Sequence, residues 1–280
     1  MSLREDRDRF AAAHPETVWT REGRRWGVIR AGETGPWLVL LPGTLGRADV
    51  FWQVIEPLSD RARILSLSYP DAGGMEDWAA DVAAAAQAHG ASDAVILGSS
   101  LGGWVAQVAA SRRPDVFATL VAANTLCDAS ILAAIPTYAQ DLYALPDAEL
   151  PEGFAAGLRA LRDAEPRFAE LAGLLLSEAE GRIPAAELRR RLIVLKEAPP
   201  LPVPPAGAVF TVESDDDHLV TPPVRAAVRE RLTPARAFRF AWGTHFPYVT
   251  RPAEYLALIE EALGLDPSGL AWPEGAETSL

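Results

Sequence analysis

The chain holds a single cysteine, Cys127, in 280 residues, and that shortage removes two chemistries at once. No internal disulfide can form, and no cysteine-rich metal site can be built. Cys127 itself reads as a small apolar residue of the interior rather than as a nucleophile. Positive charge is also short. Lys and Arg number 26 against 38 Asp and Glu, a formal net charge of -12 with a pI near 4.9, which argues against nucleic acid or an anionic membrane surface as partner. No apolar run approaches the length of a membrane span, and the N-terminus, Met1-Ser-Leu-Arg-Glu-Asp-Arg-Asp-Arg, is charged where a signal peptide needs an apolar stretch. The expectation is a cytoplasmic protein with a small-molecule partner.

What is present is enough apolar material for one large domain, 49% of the chain by residue. Strand and helix patterns alternate. Residues 17–21 and 26–30 read as a hairpin, 37–41 as a strand, 49–58 as a helix, 63–68 as a strand, 75–88 as a helix and 117–123 as a strand. That order predicts an α/β fold with a mostly parallel sheet covered by helices on both faces. Between Asp128 and Pro200 the alternation stops and helical spacing takes over, with Phe154, Leu158 and Leu161 and then Leu171, Leu174 and Leu175 on repeating faces. A Pro-rich stretch from 199 to 205 reads as a stiff connector, and alternation returns with strands at 208–212 and 237–240 and helices at 223–231 and 252–263. The expected division is a core of residues 1–127 and 201–264, an inserted helical cap of 128–200, and a loosely packed tail of 265–280 rich in Gly, Pro and Glu.

Within this frame Gly98-Ser99-Ser100-Leu101-Gly102 follows an apolar strand, Ala94 to Leu97, and precedes a helical pattern that ends at Arg112-Arg113-Pro114. Strand, Gly-x-Ser-x-Gly and helix together make a nucleophile elbow, in which a strained turn presents the central serine and needs small residues two positions to either side. The candidate nucleophile is Ser100, with Gly98 and Gly102 as its small flanks.

A serine hydroxyl needs a base to take its proton, and the base needs an acid to fix its tautomer. With an elbow of this kind the partners follow in the order acid, then histidine, which sets aside His14 and His89. His245 lies in Trp242-Gly243-Thr244-His245-Phe246-Pro247, between the last core strand and the last helix, and is preferred to His218. The acid belongs after the strand ending at Val212, where Asp215, Asp216 and Asp217 are consecutive. Asp217, with Leu219-Val220 and a proline-led helix behind it, fits best; Asp216 is second, and Asp128 is a third candidate. A run of acids otherwise reads as a solvated turn. Backbone donors for the oxyanion are expected at the amide of Leu101 and, in the loop after residues 37–41, at the amide of Thr44, with Leu45 next. Trp52, Trp104 and Tyr248 are candidates for apolar pocket walls or for core packing.

From about Arg25 to Leu263 the sequence resembles α/β-hydrolase-fold proteins, and within them it is most similar to the maspardin group. The resemblance rests on Ala48-Asp49-Val50-Phe51, Gly98 to Gly103, Asn124-Thr125-Leu126-Cys127-Asp128, and His245-Phe246-Pro247-Tyr248 with Arg251 and Ala253-Glu254. It implies a cofactor-independent serine hydrolase, with no metal, that acts on a small acyl compound through an acyl-enzyme. It also implies two alternatives: carbon-carbon bond hydrolysis on the same scaffold, and a non-catalytic adaptor, since animal maspardin is a binding protein with asparagine at the position of His245. Many relatives carry His-Gly where this chain has Pro42-Gly43, which implies that a structural hydrogen bond of the oxyanion loop is missing.

Overall fold

Trp37-Leu-Val-Leu-Leu41 is apolar at every position, the pattern of a strand covered on both faces. In the computed structural model, which describes residues 2–200, 205–272 and 275–280, this segment is β3 (Trp37–Leu41) and is buried throughout. β4 (Arg63–Ser68), β5 (Ala94–Ser99) and β6 (Phe117–Ala123) lie beside it in a nine-stranded sheet of order β1-β2-β4-β3-β5-β6-β7-β8-β9. All pairings from β4 to β9 are parallel. Only β1 (Thr17–Arg21) and β2 (Arg24–Ala31) run antiparallel to their neighbours.

The hairpin between β1 and β2 is tighter than the sequence pattern predicts. Arg21 pairs with Arg24, and only Glu22 and Gly23 turn the chain, both at positive φ (49° and 79°), as a two-residue turn matched to strand twist requires. The helix expected at 49–58 divides into a 3-10 turn, Ala48–Phe51, and α2 (Trp52–Leu58). α3 (Met75–Ala88) and α4 (Leu101–Arg112) pack on one another, as do α2 and α11 (Pro252–Ala262). The charged N-terminus is not loose. Ser2 and Glu5 form a reciprocal capping box at the start of α1 (Leu3–Ala13), which buries Arg7 and Phe10.

Between β6 and β7 (Ala208–Ser214) the described chain is helical: a 3-10 turn over Ala129–Ala134, α5 (Pro136–Ala139), α6 (Glu152–Ala164), α7 (Ala169–Ser177) and α8 (Ala185–Lys196). Residues 201–204 of the expected Pro-rich connector lie outside the described residues. β7, α9 (Pro222–Leu232), β8 (Arg236–Phe240) and the short α10 (Pro247–Thr250) complete the alternation. The tail departs from its expected looseness. Residues Glu277–Ser279 form β9 and pair in parallel with β8, because β8 would otherwise leave a row of unpaired amides and carbonyls at the sheet edge.

Candidate active site

Ser100 sits where β5 hands over to α4, at φ 56° and ψ -119°, a conformation that a side-chain-bearing residue holds only when its surroundings force it. Three hydrogen bonds do so. The Ser100 amide donates to the Ala123 carbonyl at 3.0 Å, and its carbonyl accepts from the Trp104 amide at 3.2 Å and from Thr125 Oγ1 at 2.7 Å. A Cβ at Gly98 would collide with the Gly102 carbonyl, and one at Gly102 with the Leu41 carbonyl. Both glycines are therefore set by close backbone approach. Leu101 is the first residue of α4, so its amide is among those left without an intrahelical acceptor at the positive end of the helix dipole.

The loop after β3 runs directly over this turn. A Cβ on Gly43 would stand 3.2 Å from Ser100 Cβ and 3.9 Å from its Oγ, so a side chain at residue 43 would press on the serine, and glycine leaves the approach of the backbone to the hydroxyl unstrained. With Pro42-Gly43 in this loop, its carbonyls are bound by groups from several elements. Tyr69 Oη donates to the Pro42 carbonyl at 2.7 Å, Gly46 N to the Gly43 carbonyl at 3.1 Å, and buried Arg191 Nη1 to the carbonyls of both Thr44 and Gly46, at 2.9 and 2.7 Å.

Asp217 and His245 meet from two loops. Nδ1 of His245 lies 2.8 Å from Asp217 Oδ2, both side chains buried. Each oxygen of the carboxylate has two partners. Oδ1 accepts from the amides of Leu219 (2.8 Å) and Val220 (3.0 Å), and Oδ2 from His245 and from Asn124 Nδ2 (3.0 Å). Burial alone would push the Asp217 carboxyl up; the neighbouring His245, then the Val220 amide and Asn124, outweigh it and hold the group below the usual carboxylate range. It therefore stays ionised, and a carboxylate at Nδ1 directs the ring to offer Nε2 as the proton acceptor.

The rival candidates go elsewhere. His218 is exposed, and Asp128 is an exposed cap whose carboxylate accepts from Ser130 N and Oγ, both at 2.8 Å. Asp215 pairs with Arg239 at 2.7 Å. Asp216 is not merely solvated: its Oδ1 accepts from the amides of Gly243 (2.9 Å) and Thr244 (2.8 Å) and so pins the backbone before His245, where Thr244 stands at φ 57°. Cys127 is half-buried, and burial together with Asp128 pushes its thiol up, away from the thiolate. Asn124, at φ 41°, also reaches Ser214 Oγ and the Thr244 carbonyl, at 3.3 and 3.4 Å, and no role was foreseen for it. It lies at the end of β6, one strand from the acid loop, and opens the Asn124 to Asp128 stretch on which the family resemblance partly rests, but neither signal names its partners.

Ser100, His245, Gly43, Thr44 and Leu45 line one cavity of about 170 Å³. Its other walls are mostly apolar, with Ile131, Ile135 and Phe154 from the inserted segment and Leu126, Leu219 and Phe246 from the core, and with Ser99, Thr137 and Tyr138 adding hydroxyl-bearing side chains. Among the described residues that line it there is no Asp, Glu, Lys or Arg. Trp52, Trp104 and Tyr248 do not line it and are buried in the core; the Tyr248 hydroxyl lies against Ser99.

The sequence profile described as the alpha/beta hydrolase family matches residues 38–258. Among solved structures, the enol-lactonase from Burkholderia xenovorans LB400 superposes with a TM-score of 0.74, covering 89% of this chain and 100% of that one at 16% identity. A thermophilic esterase from Thermogutta terrifontis gives a TM-score of 0.71 over 90% of this chain and 98% of that one, at 18% identity. At such identities the likeness is one of fold. Polyketide synthase ThaQ of Burkholderia thailandensis is 35% identical over 113 residues, which is 37% of this chain and only 5% of that protein's length.

Proposed function

Because this chain belongs to the alpha/beta hydrolase family, we propose that it is a serine hydrolase of carboxylic esters or closely related acyl compounds, working through a Ser100-His245-Asp217 triad without a cofactor. The observation that carries this reading is the buried 2.8 Å pairing of His245 with Asp217, in a cavity that His245 shares with the strained Ser100. Ser100 Oγ attacks the acyl carbon as His245 removes its proton, and the amides of Leu101 and Thr44 receive the oxyanion. His245 then protonates the leaving oxygen, and water, activated by the same imidazole, clears the acyl-enzyme. The apolar walls favour an acyl group without charge, since a carboxylate there would be desolvated with no cationic partner. The inserted helices act as its cap.

A fluorophosphonate probe, which phosphonylates an activated serine, tests this directly. Label is expected on Ser100, and Ser100→Ala should lose both labelling and ester turnover, with kcat falling by roughly 10⁴ to 10⁶ as in triads that act as a unit. Uncharged acyl esters should be turned over in preference to esters with a terminal carboxylate. Label on another residue, or turnover that survives in Ser100→Ala, would overturn the assignment.

The maspardin resemblance offers a second reading, an adaptor that keeps the fold without the chemistry. The buried Asp217 carboxylate weighs against it, because a charge desolvated and directed at an imidazole serves proton transfer and has no evident use in an adaptor. His245→Asn separates the two: it should abolish turnover in a hydrolase and be silent in an adaptor.

A further inference from the structure

The loop that passes over Ser100 is held from the inserted helices at several points. Arg191 on α8 is wholly buried, and its one nitrogen Nη1 reaches the carbonyls of Thr44 and Gly46. The Tyr138 hydroxyl on α5 lies against the Thr44 side chain. Further along, Arg182 pairs with buried Asp49, and Arg47 with the Arg182 carbonyl at 3.2 Å and with Glu187 at 3.6 Å.

Packing does not account for Arg191. Its guanidinium has lost its water; burial pushes it down to about 10 despite Glu187. That partner is 3.3 Å away, the ring of Tyr69 faces the guanidinium at 5.3 Å, and Nε has no hydrogen-bond partner among the described residues. A buried ion pair exchanged as a whole for well-packed apolar side chains is often no less stable, so stability alone gives no reason for a charge here. What the charge achieves lies in the peptide planes it touches. In a trans peptide the carbonyl and the following amide point in opposite directions. The Gly43 carbonyl is taken by Gly46 N, which fixes the Thr44 amide the other way, and the Thr44 carbonyl is taken by Arg191, which does the same for the Leu45 amide. These are the two amides considered as the second oxyanion donor.

We infer that Arg191 is a positioning residue for the oxyanion loop, holding residues 44–46 in reactive geometry so that seating of the inserted helices and competence of the site become one event. Arg225 makes the same bridge at the acid loop, its Nη1 reaching the Ser214 and Val220 carbonyls at 2.9 Å each, but from α9 of the core. The inference rests on the hydrolase reading above.

The test compares Arg191→Met and Arg191→Lys with the native chain. Methionine fills the space without a donor, whereas a lysine ammonium, a single nitrogen as Nη1 is, can bridge both carbonyls. Arg191→Met strips the Thr44 and Gly46 carbonyls and Glu187 of their partner and should lower the melting temperature, while kcat per folded molecule should fall by about 10- to 100-fold, the scale of a misplaced catalytic group, with KM nearly unchanged; Arg191→Lys should recover much of it. Amide hydrogen exchange over residues 43–47 should quicken in the methionine variant alone. The inference is overturned if kcat holds in Arg191→Met, if kcat falls only in step with lost folded protein, or if lysine behaves as methionine does. A native chain that turns over no ester would sink the hydrolase reading by itself; the exchange measurement would still decide whether Arg191 orders the loop, and unchanged exchange would overturn the inference.

Discussion

Asp215, Asp216 and Asp217 are the same side chain three times, and the fold gives each a different neighbour. Residue 215 points to Arg239 at the surface, 216 to the backbone of the His245 loop, and 217 inward to the imidazole. Asp217→Asn should therefore cost far more activity than Asp215→Asn or Asp128→Asn, by about 10³ to 10⁴ in kcat, because an amide cannot hold the imidazole in the required tautomer. The same substitution has a pH signature in stability. The Asp217 carboxyl lies below its ordinary value in the folded chain, so its contribution is complete above the unfolded value of about 3.9 and is lost as pH falls through the depressed one. Urea midpoints of the native and Asp217→Asn proteins should differ most at neutral pH and converge below about pH 4. A gap that widens in acid would mean the carboxyl is held protonated.

The loops of the candidate site are short, and three are clasped by charged side chains that bind backbone: Arg191 at residues 44–46, Arg225 at 214–220, and Asp216 with Arg251 at 242–244. Here the sequence was readable in part. β3, β4, α3 and β5 follow from apolar runs and periodicity, and Ser100 from a motif whose glycines have one steric meaning. His245 and Asp217 follow from order along the chain. The clasps were not legible, because a buried arginine that binds carbonyls has no spacing of its own: Arg191 and Thr44 are 147 positions apart, and Arg191 reads as one more basic residue on a charged helix. The capping box of α1, by contrast, is legible in the sequence as Ser2 and Glu5, three positions apart, within a segment that composition describes only as charged. Asp216→Ala tests the clasp at the histidine loop. Two amides lose their acceptor while the triad stays intact, so kcat should fall about 10-fold through misorientation of His245, with faster hydrogen exchange at residues 243 and 244. Loss of activity equal to that of Asp217→Asn would mean that the backbone clasp matters to His245 as much as its acid does, and unchanged activity that the clasp does not orient it.

At the scale of the whole molecule, a nine-stranded open sheet has two edges and treats them differently. β1 is left exposed at one end, short and with Val18 facing water. At the other end β9 covers β8, with the Ala237 amide bound to the Ala276 carbonyl, Leu280 N to the Arg239 carbonyl and Ala241 N to the Leu280 carbonyl. Composition suggests a loose tail because residues 265–280 are rich in Gly, Pro and Glu, and a strand of three residues is too short to show alternation. The pairing satisfies a strand that, uncovered and carrying Phe238 and Phe240, would be a template for pairing between molecules. Removal of residues 276–280 should lower the melting temperature, by about 2–4 °C for each kcal/mol lost in a chain of this size, and should produce concentration-dependent dimers or aggregates in light scattering. The removed segment touches the His245 loop only through the Ala241 amide at its start, and Asp216, Arg251 and Asn124 hold the rest, so kcat per folded monomer should stay within about threefold. A truncated chain that remains monomeric at high concentration would show that Arg239 and its ion pair with Asp215 already suffice to guard the edge.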